Sequence, residues 1–176
     1  HHEAATTPQQ VTYVEAFGSG VSAEDQAELA VLQAWYGPGS APCALGSLTA
    51  HSGLTGACSG LLSLAKAAAA LSTRQLPPLA GFEHPLADLS QGRLHIPLNP
   101  SYWLRDQQDG PRRAAVHCLS SEGSAVHVIL EQSAPHPELA SSTPTGGLFP
   151  LFEKGHESLL DSDLPLHELA RGWWHR

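Results

Sequence analysis

The sequence predicts an α/β fold in which helices form layers on a mixed sheet. Segments rich in β-branched and aromatic residues alternate along the chain with segments of helical periodicity. One helical segment, residues 56–73, is apolar almost all round, which is typical of a helix buried on several sides. Two apolar strands near residue 120 follow one another as in a β-hairpin. These three observations together predict one layered α/β unit.

The first predicted elements are a strand and a capped helix. The stretch QVTYVEAF, residues 10–17, is rich in β-branched and aromatic residues and predicts the strand. After the break at GSGVS, Ser22 and Asp25 predict a capping box in which aspartate takes the place of the usual glutamate. The helix that follows ends at Gly37. Its predicted apolar face consists of Ala27, Ala30, Val31 and Ala34.

The next predicted elements are a short strand, a loop and the apolar helix. The stretch PCALGSL, residues 42–48, predicts a short buried strand. The stretch TAHSGLTG, residues 49–56, predicts a loop. The helix of residues 56–73 then ends at Arg74, shortly before two prolines.

The last predicted elements are the two strands of the hairpin. The stretches RRAAVHCLSS, residues 112–121, and SAVHVILEQ, residues 124–132, are both apolar. A short turn that holds Glu122 and Gly123 joins them. This is the strongest hairpin signal in the chain.

The domain organisation predicted from composition has four parts. Residues 1–10, which begin with two histidines, resemble a tag remnant and lead-in. Residues 11–132 contain the predicted strands and helices. Residues 133–147 are rich in Pro, Ser, Thr and Gly and predict a linker. Residues 148–176 form a weakly helical trailing segment, which we also interpret as linker.

Composition narrows the classes of partner and cofactor. A formal charge of −8 argues against nucleic acid or an anionic membrane as a partner. Three cysteines without CxxC spacing, and scattered histidines without HExxH, predict neither a metal site nor a disulfide framework. No apolar run is long enough to span a membrane. We therefore expect a cytoplasmic protein without cofactor or metal.

Cys58 is the first candidate catalytic residue. It stands where a loop becomes the apolar helix, and a cysteine in the first turn of a helix is favoured as thiolate by the helix dipole. The stretch GACSG also resembles the turn that carries the acylated cysteine of condensing enzymes. The alternative is a small buried residue, because free cysteine is among the most buried residue types.

Four stretches, in the same order and at similar spacing, resemble the C-terminal half of a β-ketoacyl synthase. They are VEAFGSG, LGSLTAHSGLTGACSGLLSLAKAAAAL, LPPLAGFEHPLADL and RRAAVHCLSSEGSAVHVILE. The resemblance extends from about residue 11 to residue 131 and implies the C-terminal half of a thiolase-like fold, a layered α-β-α arrangement around a mixed sheet. It also implies that the nucleophile of the family lies upstream of VEAFGSG, in the other half of the fold.

This resemblance changes the interpretation of the cysteines. Cys58 corresponds to an alanine of the family, so we expect it to be a packing residue. Cys43 and Cys118, which lie on predicted strands, are expected in the core. His127 corresponds to a histidine of the final family strand and is expected to be structural.

The chain departs from the family at both catalytic histidine positions. The resemblance places these histidines, which stabilise the enolate and the oxyanion, at Phe17 and Leu54. Neither of these side chains can donate a hydrogen bond. His51 is three residues away from the second position, too far for a site in which about 1 Å of misplacement costs roughly a hundredfold in rate. We therefore expect no catalytic residue, and we predict that Phe17, His51 and Leu54 line an acyl tunnel.

The function implied is that of a catalytically inactive ketosynthase-like domain. It resembles chain-length factors and the ketosynthase-like regions of polyketide and polyunsaturated fatty acid synthases. The implied partners are an active ketosynthase, with which it forms a dimer, or the missing N-terminal half of the same domain. An acyl carrier protein would be contacted indirectly, and a neighbouring acyltransferase could be scaffolded.

Two alternatives belong to other classes of protein. The first is an acyl transferase or thioesterase that uses Cys58 as nucleophile and His51 or His117 as base. It requires an accessible thiol in hydrogen-bond contact with an imidazole. The second is a stand-alone interaction module, which predicts a continuous sheet and no large bare apolar face.

Overall fold

The computed structural model describes most of the first three quarters of the chain. The described residues are 1, 3–79, 81–84, 86–105, 109–120 and 123–133. They belong to the first of two compact units, residues 1–133 and 134–176. The predicted trailing segment, nearly all of the predicted linker, and Glu122 of the predicted turn lie outside the described residues, and the predicted domain boundaries stay predictions.

The described residues form a five-stranded mixed sheet and a separate two-stranded one. The strands are β1 (Tyr13–Ala16), β2 (Cys43–Ser47), β3 (Gln75–Leu76), β4 (Leu94–His95), β5 (Ser101–Tyr102), β6 (Arg113–Leu119) and β7 (Ala125–Glu131). The large sheet has the order β4-β2-β1-β6-β7, with β6 and β7 antiparallel and all other neighbours parallel. The small sheet pairs β3 with β5. The predicted hairpin is confirmed by the pairing of β6 with β7.

Helices cover both faces of the large sheet. They are α1 (Ser22–Tyr36), α2 (Thr49–Ser52) and α3 (Ser59–Thr73), with 3-10 turns at Pro8–Gln10 and Gly56–Cys58. On β1, Val14 packs with Leu32 of α1, whereas Tyr13 packs with Ala67 of α3. Both faces of β1 are buried, as expected for a central strand of a largely parallel sheet. The predicted layered α-β-α fold is confirmed.

Some predicted boundaries differ from the observed ones for local reasons. The first strand begins at Tyr13 rather than residue 10, because a 3-10 turn with proline at its start occupies Pro8–Gln10. The predicted loop of residues 49–56 contains the single helical turn α2. The apolar helix proper begins at Ser59, after a 3-10 turn.

Helix α1 buries a different face from the predicted one. Its buried residues are Glu28, Leu32 and Tyr36, whereas the predicted face of Ala27, Ala30, Val31 and Ala34 is not buried. The larger side chains fill the space above the sheet, and hydrogen bonds make burial of Glu28 tolerable. The buried face of α1 predicted from its small apolar residues is therefore wrong.

The predicted capping box at the start of α1 is also wrong. The helix begins at Ser22, and its N-cap makes no side-chain hydrogen bond. Instead, the carboxylate of Asp25 accepts hydrogen bonds from the Gly20 N–H and the Ser19 hydroxyl. This arrangement anchors the preceding glycine-rich loop to the first turn, where a carboxylate is favoured by the helix dipole.

Helix α3 is buried on one side, not on several. Its sheet-facing side consists of Ser59, Ser63, Ala67, Ala70 and Leu71. On the outward side Leu61 is 70% exposed and Leu62 is also exposed. Gly60 allows the close approach of helix and sheet, since a Cβ there would lie 3.1 Å from the Cys118 Sγ. Within the described residues nothing covers the outward side.

A buried arginine ties the segments at one edge of the sheet together. Arg93 precedes β4, and its Nε donates to the Tyr36 carbonyl at 2.9 Å. Its Nη1 donates to the carbonyls of Gln9 and Ala41, and its Nη2 to those of Pro8 and Val11. The side chain therefore joins the end of α1, the loop before β2 and the segment before β1.

Candidate functional site

The candidate site lies at the carboxyl ends of β1 and β2. Phe17 follows β1, and its carbonyl accepts hydrogen bonds from the Ser47 hydroxyl at 3.2 Å and from the Thr49 hydroxyl at 2.8 Å. Gly18 follows with φ of +58°, and a Cβ there would lie 2.6 Å from the Ser47 Oγ. Glycine is required at this position because of both the backbone conformation and the contact.

Glu28 of α1 holds the backbone of this loop. Its Oε1 accepts the Phe17 N–H at 2.8 Å and its Oε2 accepts the Gly18 N–H at 2.9 Å. Nδ1 of His117, on β6, lies 2.8 Å from the same carboxylate. Burial raises the pKa of Glu28, but the hydrogen bonds from His117 and the two backbone N–H groups outweigh it and hold this pKa below its ordinary value. Sequence reasoning did not single out this pair.

His117 belongs to a row of aromatic and imidazole groups behind the loop. It is paired in register with His127 of β7, and the ring centroids are 6.0 Å apart. The Tyr36 hydroxyl lies 2.8 Å from His127 Nε2. The pKa of His127 lies below its ordinary value, because burial disfavours the charged imidazole and because His117 is close.

Acidification is expected to destabilise the fold through His127. Below about pH 6.5 the unfolded chain binds a proton at His127 more readily than the folded chain does, so the free energy of unfolding falls as pH falls. Glu28 acts in the same direction below about pH 4.3, since its pKa is lowered on folding. Thermal melting between about pH 7 and about pH 5 measures this loss.

Two variants assign the expected effect to His127. His127→Gln should flatten the pH dependence of the melting temperature in that interval, whereas replacement of the exposed His95 by glutamine should leave it unchanged. A melting temperature that is constant or rises on acidification would contradict the prediction.

The structure separates the predicted tunnel residues. Phe17 is half-buried at the end of β1, whereas Leu54, after α2, is 58% exposed. His51 is exposed on α2, with its Nδ1 3.3 Å from the Ser47 carbonyl. A nearby apolar cavity of about 340 Å³ is lined instead by Leu29, Leu32, Leu45, Phe82 and Ile96, among others. The tunnel assignment of Phe17, His51 and Leu54 stays a prediction.

Comparison with known protein families identifies the family that this chain resembles. Residues 1–83 match the family model described as β-ketoacyl synthase, C-terminal domain. Residues 1–83 therefore belong to a ketosynthase C-terminal domain. The resemblance found in the four sequence stretches is thereby confirmed.

The similar proteins are polyketide synthases and their ketosynthase domains. The chain is 35% identical to the lovastatin diketide synthase of Monascus pilosus over 164 residues, which is 93% of this chain and 6% of that protein. It is 36% identical over 129 residues to a phenolphthiocerol/phthiocerol polyketide synthase of Mycobacterium tuberculosis, 72% of this chain and 8% of that protein. The chain thus spans less than a tenth of the length of these relatives.

Solved ketosynthase structures share the fold. The ketosynthase from module 6 of the bacillaene synthase of Bacillus subtilis superimposes with a TM-score of 0.68 at 26% identity, over 73% of this chain and 24% of that one. Ketosynthase twelve of the bacillaene polyketide synthase of Bacillus amyloliquefaciens gives a TM-score of 0.70 over 98% of this chain and 32% of that one. Its 23% identity supports the fold alone. The described part of this ketosynthase domain contains no helix long and apolar enough to cross a membrane.

The cysteines of the ketosynthase domain differ partly from the expectation. Cys43 is fully buried, as predicted, and burial raises the pKa of its thiol to about 12. Cys118 is half-buried. Cys58 is exposed, so its predicted packing role is wrong for the described residues. The reason is that it precedes α3 on a 3-10 turn, away from the side of the helix that meets the sheet.

The geometry does not assemble the Cys58 nucleophile of the alternative interpretation. The thiol is accessible, but the described residues place no imidazole in hydrogen-bond contact with it. His117 is engaged with Glu28, and His51 with the Ser47 carbonyl. The hydroxyls of Ser47 and Thr49 are likewise engaged with the Phe17 carbonyl. Within the described residues no cluster of three or more His, Cys, Asp or Glu could hold a metal ion.

Proposed function

We propose that this ketosynthase C-terminal domain is catalytically inactive and serves a polyketide synthase as a structural partner, in the manner of a chain-length factor. The observation that carries the proposal is the pair of hydrocarbon side chains, Phe17 and Leu54, at the positions of the family's catalytic histidines. Condensation by decarboxylation develops negative charge that must be stabilised by hydrogen-bond donors. Hydrocarbon side chains cannot provide that stabilisation.

The surroundings of Phe17 support this proposal. Its backbone is held by Glu28 and Thr49, so the loop keeps its place while the side chain lacks a donor. His51 is exposed on α2 and directed to the Ser47 carbonyl, which argues against its substitution for the missing imidazole. Loss of one oxyanion donor costs on the order of 10²–10³ in rate, and here two are absent.

We expect no decarboxylation of malonyl thioesters by the ketosynthase that contains this chain, beyond the uncatalysed background, and no acyl adduct on Cys58. Intact-mass spectrometry after incubation with acyl and malonyl thioesters measures the adduct, and product analysis measures decarboxylation. Cys58→Ser, assayed in parallel, identifies any adduct on the exposed thiol, which should still react with iodoacetamide. A stoichiometric acyl adduct at Cys58, or turnover above background, would refute catalytic inactivity.

The partner role rests on the outward side of α3, which none of the described residues covers. Leu61 is 70% exposed there, and Val126 on the edge strand β7 is 56% exposed. Burying a leucine-sized side chain contributes roughly 1.5–3 kcal/mol, so covering these exposed side chains would favour association with a partner. We propose that this surface is covered by the N-terminal half of the same domain or by an active ketosynthase in a dimer. The bare surface argues against the stand-alone interaction module.

Leu61→Ser combined with Leu62→Ser is expected to weaken association with the covering partner by about a hundredfold or more, from the loss of two buried leucines. Sedimentation velocity of this chain with its N-terminal half measures the association. Val31→Ser, at an exposed apolar position of α1, should have little effect. If the chain alone is a monodisperse monomer with a sharp melting transition and binds no hydrophobic dye, it is a complete domain and the partner role is refuted.

Three further parts of the proposal concern the cellular location, the contact with an acyl carrier protein and the relation to polyunsaturated fatty acid synthases. We propose a cytoplasmic location, which is supported by three cysteines that are all free thiols. An acyl carrier protein would be met through the active partner, since this domain lacks the acyl-accepting chemistry. The relation to polyunsaturated fatty acid synthases rests on sequence resemblance.

A further inference from the structure

A second unusual surface lies at the amino ends of the parallel strands, at the opposite edge from Phe17. Trp103, after β5, is buried: its ring packs on Tyr13 with 5.7 Å between centroids, and its Nε1 donates to the Thr12 hydroxyl at 3.0 Å. Neighbours along an extended chain face opposite ways. Tyr102 and Leu104 accordingly face outward and are 76% and 75% exposed.

Three arginines gather around the same short segment. The Trp103 N–H donates to the Arg74 carbonyl at 2.8 Å, and Nε of Arg112 donates to the Trp103 carbonyl at 2.6 Å. Arg105 donates to the carbonyls of Asp109 and Gly110. Within the described residues none of the three guanidinium groups forms an ion pair with a side-chain carboxylate. Burial lowers the pKa of Arg105, and the charge of the nearby Asp109 opposes this effect. Burial, and then the charges of Arg74 and Arg105, lower the pKa of Arg112, consistent with their closeness.

We propose that Tyr102, Leu104, Arg74, Arg105 and Arg112, together the arginine platform, form a docking site for an acidic protein segment that carries apolar side chains. The arginines supply the complementary charge, and backbone carbonyls hold two of the guanidinium groups in place. Tyrosine and arginine are also the residue types that carry most binding energy at protein interfaces.

The rest of the chain favours a protein over a nucleic acid. The formal charge is −8, so the arginine platform is a local exception on an acidic molecule. The exposed Tyr102 and Leu104 lie beside the arginines and offer apolar contact area. Because the platform lies away from Phe17, docking there does not depend on whether the family site is catalytically active.

The proposal is tested by fluorescence anisotropy with a short labelled peptide of glutamate and leucine residues, added to the ketosynthase that contains the complete chain. We expect salt-sensitive binding that Arg105→Gln with Arg112→Gln weakens about tenfold or more. Tyr102→Ala with Leu104→Ala should weaken binding by a similar factor; both side chains are exposed, so this variant should fold. Arg113→Gln is the matched control: the charge of Arg113 also acts on Arg105, but Arg113 is itself paired with Glu131.

Several outcomes overturn the proposal. If the same peptide with glutamine in place of glutamate binds equally well, charge plays no part in the binding. Equal or tighter binding of a single-stranded oligonucleotide would assign the platform to a nucleic acid instead. Absence of binding to the folded protein, or a loss for Arg113→Gln as large as for the platform variants, would show that the platform is no docking site.

Discussion

Replacement of Lys66 by methionine is expected to lower the free energy of unfolding by about 3–5 kcal/mol at neutral pH, because it leaves a buried carboxylate without its counter-charge. Glu15, at the centre of β1, is 0% exposed. Nζ of Lys66 lies 3.1 Å and 3.0 Å from its two carboxylate oxygens, and the Tyr13 hydroxyl donates to the second. Gly46 makes room, since a Cβ there would lie 2.6 Å from the Tyr13 hydroxyl.

The destabilisation by Lys66→Met should shrink as pH falls. Burial raises the pKa of Glu15, and the charge of Lys66 is the main opposing influence. Without Lys66 the folded chain holds a proton on Glu15 more tightly than the unfolded chain, so acidification towards about pH 4.3 stabilises the variant relative to the parent. The comparison of variant with parent at each pH cancels the acid sensitivity that both share through His127.

Urea unfolding of the ketosynthase domain at about pH 7 and about pH 5 measures both effects. Glu15→Gln combined with Lys66→Met should recover much of the lost stability, since no uncompensated charge remains. A loss that is the same at both pH values, and is not relieved in the double variant, would show that Lys66 acts through packing of its aliphatic part instead.

Replacement of Arg93 by leucine is expected to cost a similar amount, about 3–5 kcal/mol, because several buried carbonyl groups lose their donor at once. The guanidinium donates to five backbone carbonyls, those of Pro8, Gln9, Val11, Tyr36 and Ala41. These belong to separate segments that meet beside β4. The loss is therefore expected to include loosening of the segment before β1.

Arg93→Lys separates charge from geometry. Lysine keeps the positive charge but lacks the planar fork, so it should recover only a minority of the lost stability. Urea unfolding measures the free energies, and hydrogen exchange at Val11 and Cys43 measures the local loosening. Full recovery by lysine would assign the stabilisation to charge alone, and an unchanged stability in Arg93→Leu would contradict the role of the hydrogen bonds.

The architecture could be predicted from sequence because it depends on repeating patterns. β1 and β2 are buried on both faces, as strands of a parallel sheet must be, and the β6–β7 hairpin has two apolar runs joined by a short turn. Boundaries were less accurate at residues 8–10 and 49–52, where single helical turns formed. Such turns involve too few residues to leave a periodic signal.

The candidate site could be predicted only in part. The four family stretches identified Phe17 and Leu54 as departures, and that comparison needed no coordinates. The hydrogen-bonded pair of Glu28 and His117 could not be found in this way, since the two residues are far apart in sequence and come from a helix and a strand. The buried Glu28 also explains why the small-residue face of α1 was a poor guide: its carboxylate is buried because it is hydrogen-bonded.

By itself the sequence determined the layered α/β fold, the family and the absence of imidazole at two of its positions, because these depend on residue type and local order. The tertiary structure alone decided which face of α1 is buried, which side of α3 packs on the sheet, and that Arg93 and Glu15 are buried with partners. Only the tertiary structure brings the residues of the arginine platform together. The physical reason is that burial and charge pairing depend on distances between segments far apart in the chain, and residue order does not specify those distances.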